Sequence, residues 1–401
     1  MVDPSADAGD DERTADQAPR SDNGAVAGAG AVDESAAGGE SEAAAPFEET
    51  GPQRIGTYLG NDDVVLIYDP QRDEWLRLPP GASLQAGDQL VSLPAFRSHV
   101  VLQDMNAFLS GGTQANLLDM ADSTSDVQFG LELSHGQLLL NSGLNGNRIE
   151  LVGGDDVRTI ELGPSSSLAV DVNRVYVPGS DPEVEIAPTE ITWYLTTGSV
   201  EFADGSQTQE IEAPASWRTD RGQDSPPQAV ESLPEWIGRE PVDALQRNAR
   251  RRIAEALTPG EPVAIPLLEF SDPKARGRRF EDRALATESA AHVGEFEPFV
   301  RALNDPVQKA YWDRLIDIMR ESVAARPEAT GQLRKAFVSL RGPQAANDLM
   351  QMVLGYRSAE IGETPEEWRN GALLRLVRWM DSDQLDYRVL AFHNVNEITG
   401  T

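Results

Sequence analysis

The spacing of apolar residues changes once along this 401-residue chain, and that change constrains the fold more than any other feature. From Arg54 to Arg218, apolar and polar side chains alternate in short runs such as Arg158-Thr159-Ile160-Glu161-Leu162 and Ser167-Leu168-Ala169-Val170-Asp171. Successive strand residues face opposite sides, so a period of two predicts half-buried strands. Turn residues separate the runs: Pro80-Gly81, Ala86-Gly87-Asp88, Asn145-Gly146, Gly153-Gly154-Asp155-Asp156 and Asp204-Gly205. After Pro241 the spacing becomes helical, as in Ala244–Leu257 and Tyr311–Met319. The prediction is a multidomain β + α protein, an antiparallel β sandwich or roll followed by an all-α domain.

Composition marks the boundaries. Residues 1–52 are mostly Ala, Gly, Ser, Asp and Glu with one aromatic, Phe47, too little apolar surface to offset ordering entropy. They are expected to form a disordered acidic tail. Residues 53–218 form the β domain, 219–240 a polar, Pro-bearing linker, and 241–401 the helical domain. The net charge of -32 divides as -11 over residues 1–50, -19 over 51–240 and -2 over 241–401. So acidic a β half repels phosphate backbones, which argues against nucleic acid as a partner and for a protein partner, a basic one by complementarity.

The chain has no cysteine, which excludes disulfides and thiolate chemistry within it, and its three lysines (Lys274, Lys309, Lys335) all follow residue 241. No run approaches the roughly 20 apolar residues of a membrane span, and Met1-Val2-Asp3-Pro4-Ser5 lacks the pattern of a signal peptide. A soluble chain with no membrane span is expected from this.

The chemical motifs favour architecture over catalysis. Leu109-Ser110-Gly111-Gly112-Thr113-Gln114 nearly matches the signature of ATP-binding-cassette ATPases, but it lies between strand-like runs and no phosphate loop accompanies it, so a turn is expected. His99, His135, His292 and His393 stand apart without metal-ligand spacing. Ser165, Ser166 and Ser167 lack a nucleophile elbow. The acid pairs Asp62-Asp63, Asp155-Asp156 and Glu366-Glu367 read as solvated turns and, for the last, a helix start after Thr364-Pro365. Trp75, Trp193 and Trp217 read as core or cross-strand aromatics, with sugar or base stacking as the alternative. No catalytic, cofactor-binding or metal residue is therefore assigned.

In the helical half, Leu267–Pro273 leading into Arg283–Ala286, and Leu376–Asp383 leading into Tyr387–Phe392, share a helix–turn–helix layout that resembles HEAT-like repeats. The β half resembles the FecR domain, the iron-dicitrate sensor-regulator module of bacterial envelopes. The resemblance rests on Trp75-x-x-Leu78, Pro80-Gly81-x-x-Leu84, Ala86-Gly87-Asp88-x-Leu90, Val100-Val101-Leu102 and Leu131–Leu138, over about residues 54–218. Joined to the helical half, the whole is similar to uncharacterised envelope proteins of planctomycete-type bacteria. The resemblance implies an extracytoplasmic β domain that binds a protein partner in envelope signalling, although the family's regulatory helix and membrane span are not found in this chain. The resulting expectation is a non-enzymatic sensor and interaction protein with a helical scaffold, with an envelope carbohydrate-binding or enzyme-associated module as the alternative.

Overall fold

In a computed structural model, the described residues are 53–400 apart from 61–62, 121–125, 205–206, 239–243 and 276. The expected acidic tail, Asp62 and the Asp204-Gly205 turn therefore lie wholly or partly outside them.

The alternating runs form two sheets that share one strand. One sheet orders Ser83–Gln85, Arg54–Tyr58, Arg97–Leu102, Met105–Ser110, the second half of Phe129–Asn141, Ser167–Arg174, Thr189–Thr197 and Ala215–Asp220. The other orders Glu74–Arg77, Val65–Asp69, Gln89–Ser92, Gln114–Leu118, the first half of Phe129–Asn141, Asn147–Gly153, Asp156–Leu162, Ser199–Asp204 and Gln207–Glu212. Every named pairing is antiparallel except residues 129–132 with 149–152. The strand Phe129–Asn141 leaves one sheet and enters the other, so the chain returns to its first half in the same direction. That crossover makes the sheet mixed where the sequence suggested antiparallel pairing alone.

The inward-facing alternate residues of both sheets form one core. Trp193 and Trp217, opposite each other on neighbouring strands of one sheet, stack at 5.8 Å, and Phe202 from the opposite sheet meets Trp217 edge-on at 5.0 Å. The Trp193 indole N–H donates to Thr219 Oγ1 at 2.9 Å, which satisfies the one polar atom that such a burial costs.

The run Val64-Val65-Leu66-Ile67 departs from alternation because its strand is covered on both faces. Val65 points into the sandwich, while Leu66, Val91 and Phe96 pack outward against Ile253, Leu267 and Leu285 of the helices. Each such side chain contributes about 1.5–3 kcal/mol when removed from water, so the sandwich and helices share a core. Arg77 reinforces the seam by donating to the carbonyls of Ala254 and Leu257. Residues 50–401 accordingly make one compact unit. The expected linker segment carries the short strands Gln223–Asp224 and Gln228–Ala229 against Ala215–Asp220 and the 3-10 turn Glu235–Ile237.

The helices form where the spacing placed them, including the pairs Ala264–Ser271 with Phe280–His292 and Ala372–Trp379 with Leu385–Thr399. Pro327 and Pro343 begin two further helices, Pro327–Arg341 and Pro343–Leu354, at the position where a missing N–H costs nothing. Among the described residues, no helix is long and apolar enough to cross a membrane.

Candidate functional site

Between the sandwich and the helices lies a cleft of about 1870 Å³. Six of its lining residues are arginines (Arg97, Arg174, Arg247, Arg250, Arg314, Arg326), against four carboxylates (Asp63, Asp171, Glu288, Glu321). In a chain of net charge -32, this local excess of cation is the opposite of the average surface.

Among the described residues, three of those arginines donate to no carboxylate, although Glu328 lies within electrostatic reach of Arg326. Arg326 is 8% exposed and donates to the carbonyl of Ala291, at the end of Phe280–His292. It precedes Pro327, which disfavours helical geometry at the residue before it, and its backbone is extended at φ -137°, ψ 109°. The break between two helices thus sets Arg326 at the cleft wall. Burial lowers the pKa of its guanidinium, as it must for a cation short of solvent. Arg174, at the end of Ser167–Arg174, donates to the Ala187 carbonyl at 3.5 Å, and its buried Nε has no partner among the described residues. Arg250 donates to the Ala95 carbonyl at 3.3 Å and lies over the Phe96 ring.

The carboxylates are mostly engaged. Asp63 accepts from the Tyr58 hydroxyl at 2.7 Å and the His99 backbone N–H at 3.0 Å. Asp171 accepts from Gln137 at 3.2 Å, and Glu321 accepts from Arg314 at 3.4 Å. Glu288 is the exception, a largely buried carboxyl pushed up to about 7 by desolvation.

Two histidines that the sequence showed as isolated meet here. The His135 and His292 rings stack with centroids 6.0 Å apart. His135 sits where Phe129–Asn141 changes sheets: Gly136 follows at φ +105°, so close to Thr113 that a Cβ would lie 2.6 Å from its Oγ1. That bend, beside a register shift at Gln114/Ala115, turns the imidazole outward. Burial, then Arg326 and Arg174, push His135 down to about 3, and burial with His135, Arg326 and Arg314 lowers His292 well below the usual imidazole range. Both rings are therefore neutral near pH 7 and present polar nitrogens without adding charge.

Of the other candidates, His99, Asp63 and the Gly111-Gly112 turn also line the cleft, and the rest fall elsewhere. Gly111 and Gly112 form the expected turn between Met105–Ser110 and Gln114–Leu118, and that turn borders the cleft beside His292. His99 stacks on Phe108, while His393 is bonded to Arg320 and Asp313. Ser165 occupies a turn at φ 55°. Asp156 pairs with Arg158, and Glu367 closes a capping box with Thr364. Trp193 and Trp217 are core, whereas Trp75 is half-buried beside Tyr68. Sequence reading missed the cleft because its arginines come from both halves, and its wall also takes in the end of the segment 219–240, where Arg97 donates to the carbonyls of Ile237 and Gly238. Among the described residues, no group of three or more His, Asp or Glu side chains is arranged to hold a metal ion. No protein-family model matches the chain, and no curated protein matches it.

Proposed function

We propose that this protein is a non-enzymatic sensor whose seam cleft binds an anionic ligand and whose β region passes that occupancy to a partner protein. One observation carries the reading: Arg174, Arg250 and Arg326 line the same cleft, and among the described residues their side-chain hydrogen bonds go only to backbone carbonyls. A carbonyl satisfies a donor but does not neutralise the positive charge, which is costly for the buried Arg326 and less so for the half-buried Arg174 and Arg250. Phosphate or carboxylate groups would compensate it through short, directional, charge-assisted bonds. The cleft exceeds the roughly 300–1,000 Å³ of common small-molecule sites, which suits an extended ligand with more than one anionic group. Calorimetric titration with inorganic pyrophosphate is the test. Saturable binding is expected, weakened about tenfold or more in Arg174→Gln and in Arg250→Gln. Wild-type affinity in both variants, or no binding of phosphate, pyrophosphate or a short polycarboxylate, would sink the reading.

A second observation favours a basic protein partner. Arg148, Glu161, Glu201 and Glu210 stand opposite one another across four adjacent strands. Like charges directly opposed weaken a ladder, so the row of three glutamates is a local cost in the free protein. It ends at Gln207–Glu212, whose outer edge pairs with no strand among the described residues. A basic segment added to that edge would relieve both the repulsion and the unpaired backbone groups. This is the relay surface that envelope signalling by a FecR-like module would use. Association with such a partner should slow as salt rises past about 0.1 M.

A further inference from the structure

A second, smaller cavity of about 750 Å³ opens between the outer face of the strands Val65–Asp69, Glu74–Arg77 and Gln114–Leu118 and the helix Pro327–Arg341. Arg326 borders both this cavity and the anion cleft, but the remaining walls are of a different kind. Tyr68 and Trp75 stand side by side, ring centroids 5.3 Å apart and tilted by 54°. The side-chain amides of Gln114 and Gln332 come from the sheet and the helix respectively. In each, the buried Oε1 has no hydrogen-bond partner among the described residues. Gln332 lies against Gly294, whose φ is +82° and where a Cβ would come within 2.8 Å of the amide nitrogen. A glycine there leaves the amide room to keep that position.

The charged groups in these walls already have neighbours. Asp73 accepts the Tyr68 hydroxyl, and Glu297 accepts from Arg301 at 2.8 Å and from Ser339 at 3.1 Å. Lys335 lies within electrostatic reach of Glu295, and Glu328 within reach of Arg326. What remains unmatched is two neutral acceptors and an aromatic pair. Orphaned amide oxygens call for O–H or N–H donors, and tilted aromatic faces accept the C–H side of a ring. The wall carries four carboxylates (Asp73, Glu295, Glu297, Glu328) against Lys335 and Arg326, but each of these charges already has a neighbour, so the groups left to recognise a ligand are the neutral acceptors.

We propose that this cavity is a saccharide site, in which Gln114 and Gln332 accept sugar hydroxyls while Tyr68 and Trp75 pack against the ring. Its volume lies within the usual range for small-ligand sites. Apart from Arg326 it shares no lining residue with the anion cleft, so substitutions at Gln114 and Gln332 can remove sugar binding without touching the anion site.

The test uses the full chain with maltotriose, lactose and chitotriose as probes, read by saturation-transfer NMR and by titration calorimetry. At least one sugar is expected to receive saturation and to bind. Gln114→Leu and Gln332→Leu should each weaken it about tenfold or more, since a donor would lose its acceptor. Both variants should leave pyrophosphate binding unchanged. Their Tm should hold or rise, because an apolar group of similar size replaces an acceptor that the free protein leaves unpaired. A fall in Tm would mean that the amides are structural and would overturn the proposal. So would silence from all three sugars at about 10 mM, a level that reveals even millimolar affinity. Trp75→Phe, which keeps a ring in place, guards against misfolding and is expected to retain weaker sugar binding. Binding of spermidine in place of any sugar would show the pocket to be cationic in preference and would also refute the saccharide assignment.

Discussion

Replacing Arg326 by Met separates what this residue does for stability from what it does for binding. In the free protein its guanidinium is 8% exposed, sits near the stacked His135 and His292, and donates to the Ala291 carbonyl. Removing it loses one charge-assisted hydrogen bond, about 1.5–3 kcal/mol. It also removes a buried cation that no carboxylate hydrogen-bonds among the described residues and that Glu328 compensates only at a distance, and whose desolvation costs several kcal/mol. Met has a similar length and no charge, so the two effects leave the variant as stable as the parent or more stable by up to about 3 kcal/mol. Anion binding should move the other way. Losing a charged donor of about 1.5–3 kcal/mol weakens affinity roughly 10- to 150-fold. Thermal unfolding in a weakly binding buffer, paired with pyrophosphate calorimetry on the same samples, reads both quantities. A variant that loses several kcal/mol of stability yet binds pyrophosphate as before would refute the reasoning and make Arg326 a structural strut.

Three further outcomes follow from the same geometry. Leu66→Ala should cost about 2–5 kcal/mol, and circular dichroism should still show one transition for strand and helix signals, because Leu66 belongs to a core that both regions share; two separated transitions would contradict that core. Glu288 has its proton affinity raised to about 7 by burial, so its stabilising contribution is complete below the unfolded carboxylate range near 4.5 and is lost as pH rises through 7. Glu288→Gln should therefore be more stable than the parent at pH 8, by about 1–3 kcal/mol after allowance for partial exposure, with the gap closing toward pH 4.5 in denaturant titrations. His135 runs in the opposite sense: its folded value is pushed down to about 3, so the protein should lose up to about 1.4 kcal/mol per pH unit from this ring as pH falls below 6.5, an effect that His135→Gln should remove.

Much of the fold was legible in the sequence, because strands and helices announce themselves through local spacing. Asn145-Gly146 and Gly153-Gly154 mark turns in which Gly146 and Gly154 adopt φ of +74° and +64°, and the strands Asn147–Gly153 and Asp156–Leu162 follow directly. The pairing of Trp193 with Trp217 follows from alternation plus register. Other features depend on what covers a strand or where it ends. Val64-Val65-Leu66-Ile67 breaks the alternation, a sign of a strand buried on both faces, yet nothing local says that helices cover its outer side. The parallel pair at 129–132 arises from one strand serving two sheets, a tertiary event with no short-range signature. The cleft was the least legible element, since His135 and His292, or Arg174 and Arg326, meet only through the fold. One local sign was present: Arg326-Pro327 places an arginine in extended geometry at a helix junction.

The most direct measurement is hydrogen exchange of the full chain with and without saturating pyrophosphate. The cleft should show as coordinated slowing at Gly111–Gly112 and His135–Gly136 from the sandwich, at Ile237–Gly238, and around Arg326 from the helices, because one ligand touches all of these walls. Protection confined to one layer, or unchanged exchange at a pyrophosphate concentration that saturates binding, would contradict an anion held at the seam.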